Sequence, residues 1–74
     1  MIFTTAAFHR IGRTLWGLGW RAELAKRLGI TPSAVHAWGS GHKAIEPELR
    51  RLMLTFVDEQ IEALRKIKSD FTLQ

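Results

Sequence analysis

The sequence predicts an all-α fold, a small four-helix domain that takes up the whole chain, 1–74. Three observations predict it. Apolar residues recur at helical spacing, and the alternation a strand needs never persists beyond a few residues. Thr, Pro and Gly punctuate the chain at intervals that suit helices. The composition, 46% hydrophobic and 24% charged, belongs to a folded chain rather than a disordered one.

The elements follow in order. Thr4 or Thr5 suits the N-cap of a first helix that carries Phe8, Ile11 and Leu15 on one face. Gly12 lies within that helix and weakens it. Two glycines in Trp16-Gly17-Leu18-Gly19-Trp20 end it in a turn. The second helix, 21–28, turns Leu24, Ala25 and Leu28 inward, and Gly29 supplies its left-handed stop. Thr31-Pro32 opens the third helix: threonine is a good N-cap, and proline costs nothing at the first helical position, where its N–H would have no partner. This helix runs through Val35 and Trp38 to Gly39-Ser40-Gly41. Glu46-Pro47 opens the last and longest helix, about 47–68, and Phe71 to Gln74 reads as a fraying tail.

At 74 residues the chain is near the lower limit for one unstapled core, and it has no cysteine to supply a disulfide or a thiolate metal site. No apolar run is long enough to span a bilayer. MIFTTAAFHR lacks the basic start and apolar run of a secretory signal, so a cytoplasmic location is expected. The net charge of +4 is uneven: up to residue 45 there are six bases and the single acid Glu23, while from residue 46 there are five bases and six acids. The first part suits a polyanion and the second does not.

The segment 21–38 is the informative one. It reads helix, three-residue turn, helix, with small Ala25 in the first helix and Gly29 at the corner. Two helices meeting steeply need a small residue where their backbones approach and a glycine where φ turns positive. Ile30, Val35 and Trp38 can pin the second helix to the body, which leaves its outer side free. This is the recipe of a helix-turn-helix.

The stretch WRAELAKRLGITPSAVHAWGSGHKAIEPELRRLM resembles the helix-turn-helix of the phage-repressor family (Cro, lambda repressor, Xre-like). The matching residues are Leu24, Ala25, Leu28, Gly29, Ile30, Thr31, Val35, Trp38 and Gly41, followed by Leu49 and Leu52 in the next helix. The resemblance covers about 11–54, and the chain is similar to compact members that are little more than this domain plus one long helix. It implies a sequence-specific double-stranded-DNA-binding regulator, a small phage or bacterial repressor or autoregulator, working as a homodimer on an inverted repeat near the nucleoid. By the resemblance, the base-reading positions fall on Pro32, Ser33, His36 and Ala37, and phosphate contacts on Arg21, Thr31, Lys43, His42 and Arg13. Serine specifies weakly, histidine can donate to guanine, alanine can touch a thymine methyl, and proline donates nothing. Groove shape then carries much of the specificity.

Two positions depart from the family pattern. Arg21 stands where the family usually has glutamine, and a cation can hold a phosphate with less directional constraint. Gly39 stands where the family usually has glutamate after the tryptophan, which leaves the length of the third helix open.

The last helix carries two apolar directions. Leu49, Leu52, Met53, Phe56 and Ile67 share one, and Leu54, Val57, Ile61 and Leu64 share another, roughly 100° round at 100° per residue. One core needs one stripe, so the second, Leu54, Val57, Ile61 and Leu64, is read as a dimer interface. Trp16 and Trp20 read as core closures beside a glycine turn. No enzyme is expected: Glu46, Glu48, Asp58, Glu59 and Glu62 lie on a solvated helix, and no nucleophile has a visible base and orienter. His9, His36 and His42 lack metal-ligand spacing, so no metal, cofactor or small-molecule ligand is expected. The rival reading is a protein-interaction module on the same fold, such as an antitoxin-like partner or a phage-encoded inhibitor, without operator binding.

Overall fold

Thr4 opens the first helix by accepting a hydrogen bond from the Ala7 N–H at 3.1 Å. In the computed structural model, which describes residues 3–72, this helix is α1, Thr5–Trp16. A 3₁₀ turn, Gly17–Gly19, leads into α2, Trp20–Leu28; α3 is Pro32–Gly39 and α4 is Pro47–Thr72. The described residues are all-helical, with no strand. No described helix is long and apolar enough to cross a membrane.

Two boundaries correct the sequence reading. The second helix begins at Trp20, one residue before Arg21. The last helix continues past Lys68 to Thr72, so Phe71 and Thr72 are helical rather than tail; Leu73 and Gln74 lie outside the described residues. Helix-forming Leu, Arg and Lys run as far as Lys68, and no glycine or proline stops the helix from continuing through Ser69, Asp70, Phe71 and Thr72.

The core is small and apolar throughout. Phe8, Trp20, Leu24, Ala25, Val35, Leu49 and Met53 are buried, and among the described residues no polar side chain is. Ile11, Trp16, Leu28, Ile30, Trp38 and Phe56 close it from the sides. Trp20 is its largest member and lies edge-on to Phe8, with ring centroids 5.2 Å apart.

Gly12 is where the indole seats. A Cβ there would fall well inside van der Waals contact of the Trp20 six-membered ring. The glycine that weakens α1 in the sequence is thus the floor on which α2 begins. Trp16 lies instead against Phe56 of α4, centroids 5.6 Å apart, with the Arg27 guanidinium over both rings. Glu23 holds that guanidinium from one turn away, at 2.9 Å.

α4 packs on α1 and belongs to the core only near its start, through Leu49 and Met53. From Asp58 to Thr72 every residue is exposed. The first apolar stripe therefore covers the core only through Leu49, Met53 and Phe56, and neither Leu52 nor Ile67 is part of it. The overhang of 58–72 is roughly 22 Å of helix at 1.5 Å per residue. The whole molecule measures 49 × 27 × 18 Å.

The seating of Trp20 gives the first prediction. Gly12→Ala gains about 1 kcal/mol of helix propensity but overpacks a buried ring, for a net loss of about 1–2 kcal/mol. Gly19→Ala, whose Cβ meets no atom within 4 Å, stays within about 0.5 kcal/mol of the parent chain. Urea unfolding of the two variants checks the contrast.

Candidate nucleic-acid interface

α2 and α3 are joined by Gly29-Ile30-Thr31. Gly29 takes φ +69°, ψ +33°, a left-handed conformation that suits glycine. Its N–H reaches the Lys26 carbonyl at 3.3 Å, and the Ile30 N–H reaches the Ala25 carbonyl at 3.0 Å, the paired bonds of a Schellman close. Ile30 is thereby turned onto the core. Thr31 then caps α3, accepting from the Ala34 N–H, with Pro32 in the first turn. Each step of this corner is set by local chemistry.

α3 divides its residues cleanly. Val35 is fully buried and Trp38 packs against the core. Pro32, Ser33 and His36 are exposed, and Ala37 is half-buried beside them. The residues expected to face a ligand thus share the bare side of α3, and none is needed for packing. Thr31 is exposed, with its hydroxyl occupied by the cap.

The expected phosphate-contacting residues gather toward the C-terminal end of α3, except Thr31, which caps its start, and Arg13. The Lys43 ammonium lies 5.2 Å from the centre of the Trp38 ring, and its backbone N–H returns to the Ala37 carbonyl. His42 Nδ1 is 2.6 Å from the Ser40 hydroxyl, which leaves Nε2 facing away from that bond. Arg21 is half-buried, its guanidinium 4.7 Å from the centre of the Trp20 ring. Cations near the last turn of α3 also complement the negative end of its dipole. Arg13 is exposed on α1, one turn after His9.

His9 organises this end of the site, and sequence reasoning passed over it. Its Nε2 lies 2.9 Å from the Gly39 carbonyl and its Nδ1 lies 3.2 Å from Arg21 Nη2. An arginine only donates and a carbonyl only accepts. His9 therefore carries its proton on Nε2, donates to Gly39 and accepts from Arg21. One side chain of α1 ties the end of α3 to the start of α2. A Cβ at residue 39 would come 2.9 Å from His9 Nε2, so the absence of a side chain at Gly39 admits the imidazole. Arg21 and Gly39 are thus partners of the same histidine. No local signal marks this, because the contacts span 12 and 30 residues.

Among the described residues no three His, Asp or Glu side chains group as a metal site. Comparison of the chain with known protein families, curated protein sequences and solved structures gives no match.

The His9 bridge makes a second prediction. Nitrogen NMR should find the His9 proton on Nε2; a proton on Nδ1 contradicts the arrangement. His9→Ala removes two hydrogen bonds and should cost about 1–2 kcal/mol in thermal or urea unfolding.

Proposed function

We propose that the protein is a sequence-specific double-stranded-DNA-binding regulator, a small repressor or autoregulator acting as a homodimer on an inverted repeat. The observation that carries this reading is the division of α3. Its inner side is spent on the core, while Pro32, Ser33 and His36 stand bare, with Arg21, His42 and Lys43 near its far end. A helix held this way can lie in a major groove with its outer residues against base edges, while the cations hold the phosphates. The uneven charge of the chain supports it, since the acids lie mainly on α4. So does the resemblance of the 11–54 stretch to the phage-repressor helix-turn-helix, α2 and α3 taking the places of its two helices. The expected compartment is accordingly the cytoplasm.

The exposed strip on α4 supports the dimer. Leu54, Ile61 and Leu64 are between 45% and 55% exposed, and Val57 is half-buried beside them. Monomers seldom leave so many large side chains in one line. Burying each contributes about 1.5–3 kcal/mol, enough in a symmetric pair to offset the cost of association. A two-fold pair also matches an inverted repeat.

Selection from a random duplex pool tests the reading. It should enrich an inverted repeat with half-site centres roughly 10 bp or a small multiple apart. With four phosphates contacted, log affinity should fall with log salt at a slope of about −4. Arg13→Ala and Lys43→Ala should weaken binding to every duplex and flatten that slope. Ser33→Ala and His36→Ala should instead relax preference at particular positions, by about 1–3 kcal/mol each, with the fold intact. Absence of any consensus at low salt refutes DNA reading and leaves the protein-interaction module.

A further inference from the structure

We infer that the overhang of α4 pairs antiparallel with the same helix of a second copy, about a two-fold axis between residues 62 and 63. This deepens the dimer proposed above, but it stands on α4 and the groove beside it and needs no DNA.

The extension of α4 to Thr72 reveals the spacing. Leu54, Val57, Ile61, Leu64, Lys68 and Phe71 follow one another in alternating steps of three and four residues. That is the seam of a two-stranded coiled coil, apolar at every place except Lys68. All six lie on one continuous helix, and Phe71 is 73% exposed. A second copy is the occupant whose chemistry fits, because the seam is complementary to itself in one orientation only.

In a parallel pair each seam residue meets its own copy. Lys68 would then face the partner's Lys68, two ammonium groups in one layer. Asp58, which flanks the seam, would find no base across from it, because the step that joins flanking positions in parallel coils leads from Asp58 to Met53, which is buried in its own core.

The antiparallel pair removes both faults. Leu54 meets the partner's Phe71, Ile61 meets the partner's Leu64, and Lys68 lies across the partner's Val57. There the lysine stem covers the apolar residue while its charge reaches water. Asp58 falls beside the partner's Arg65, and by symmetry the contact is made twice. On the other flank Gln60 falls beside the partner's Ile67.

That second flank accounts for the residue the core left over. A groove of about 380 Å³ lies between α1 and α4, lined by Ile11, Thr14 and Leu15 on one side and Val57, Gln60 and Ile61 on the other. Gln60 is thus on the α1 side of the seam. In this register the partner's Ile67 enters at that side, against Ile11 and Leu15. Ile67, 54% exposed in the single chain, gains an apolar seat. The two bodies, each ending near Met53, are then held roughly 28 Å apart along the helix axis at 1.5 Å per residue.

Sedimentation equilibrium and cross-linking, both without DNA, test the pairing. The wild-type chain should sediment as a dimer, twice the 8.4 kDa chain mass. Asp58→Arg should weaken dimerisation about tenfold, and adding Arg65→Asp should restore it. The chain has no cysteine, so single introduced thiols report orientation directly. A short bis-maleimide should join Val57→Cys to Lys68→Cys in a mixture of the two. It should not join Lys68→Cys to itself, because those sites lie roughly 16 Å apart along the axis. Cross-linking of Lys68→Cys alone, or a charge swap that restores nothing, overturns the antiparallel register. A monomeric wild-type chain overturns the pairing altogether. A dimer that binds no duplex refutes the proposed function and leaves this inference in place.

Discussion

The fold depends on the seat of Trp20 against Gly12. The indole is buried where α1 and α2 meet, so the bare backbone of Gly12 sets how closely the helices approach. The ring also orders what surrounds it: Phe8 meets it edge-on, and His9 lies edge-on to it at 5.3 Å. With seven buried hydrophobic residues among those described, the core has little else over which to spread an error in that contact. The glycine costs α1 about 1 kcal/mol of propensity, and the burial it permits, that of a whole indole, is worth more.

From this seat the candidate site follows by short steps. Trp20 is the first residue of α2, so fixing it fixes Arg21 beside His9. His9 in turn reaches the last residue of α3. The helix proposed to meet DNA is therefore held at both ends by different means: at its start by the Thr31 cap, at its finish by an imidazole from α1. Between them Val35 and Trp38 fix its rotation. α4 follows another logic. Beyond Phe56 it has no core to lie on, and its Glu, Gln, Ala, Leu, Arg and Lys content sustains the helix. An unsupported helix of that length is marginal in water, which is a physical reason for it to find a partner.

What was legible in the sequence was what local chemistry decides. Thr31-Pro32 opening α3, Gly29 closing α2 and the inward set Leu24, Ala25 and Val35 all follow from the residue and its nearest neighbours. The functions of Gly12 and His9 were not legible, since each depends on a side chain or carbonyl brought near by folding. Gly12 reads as a weak point of a helix until Trp20 is placed on it. His9 reads as one of three scattered histidines until Arg21 and Gly39 arrive at its two nitrogens. The end of α4 is the opposite case: Ser69, Asp70, Phe71 and Thr72 have little helix propensity of their own, and the helix carries on through them from the strong formers before Lys68 with no glycine or proline to stop it. Phe71, the last member of the seam, lies on that extension.

The His9 bridge bears on how a helix so poor in strong base readers could discriminate. Ser33 and His36 offer few directional hydrogen bonds, and Pro32 and Ala37 offer none from their side chains. A reader of this kind cannot afford to search for its pose, because every degree of freedom frozen on binding subtracts from a small gain. Its orientation has to be set beforehand. Arg21 illustrates the point. A free arginine on a helix surface carries the rotamer entropy of a long side chain. Here one donor is engaged by His9 and the guanidinium lies over Trp20, while its remaining N–H groups are available to a phosphate. Lys43 is held in a similar way over Trp38. In the proposed function, Arg21, His9 and Gly39 form a single bridge that holds the reading helix and one of its flanking cations in place.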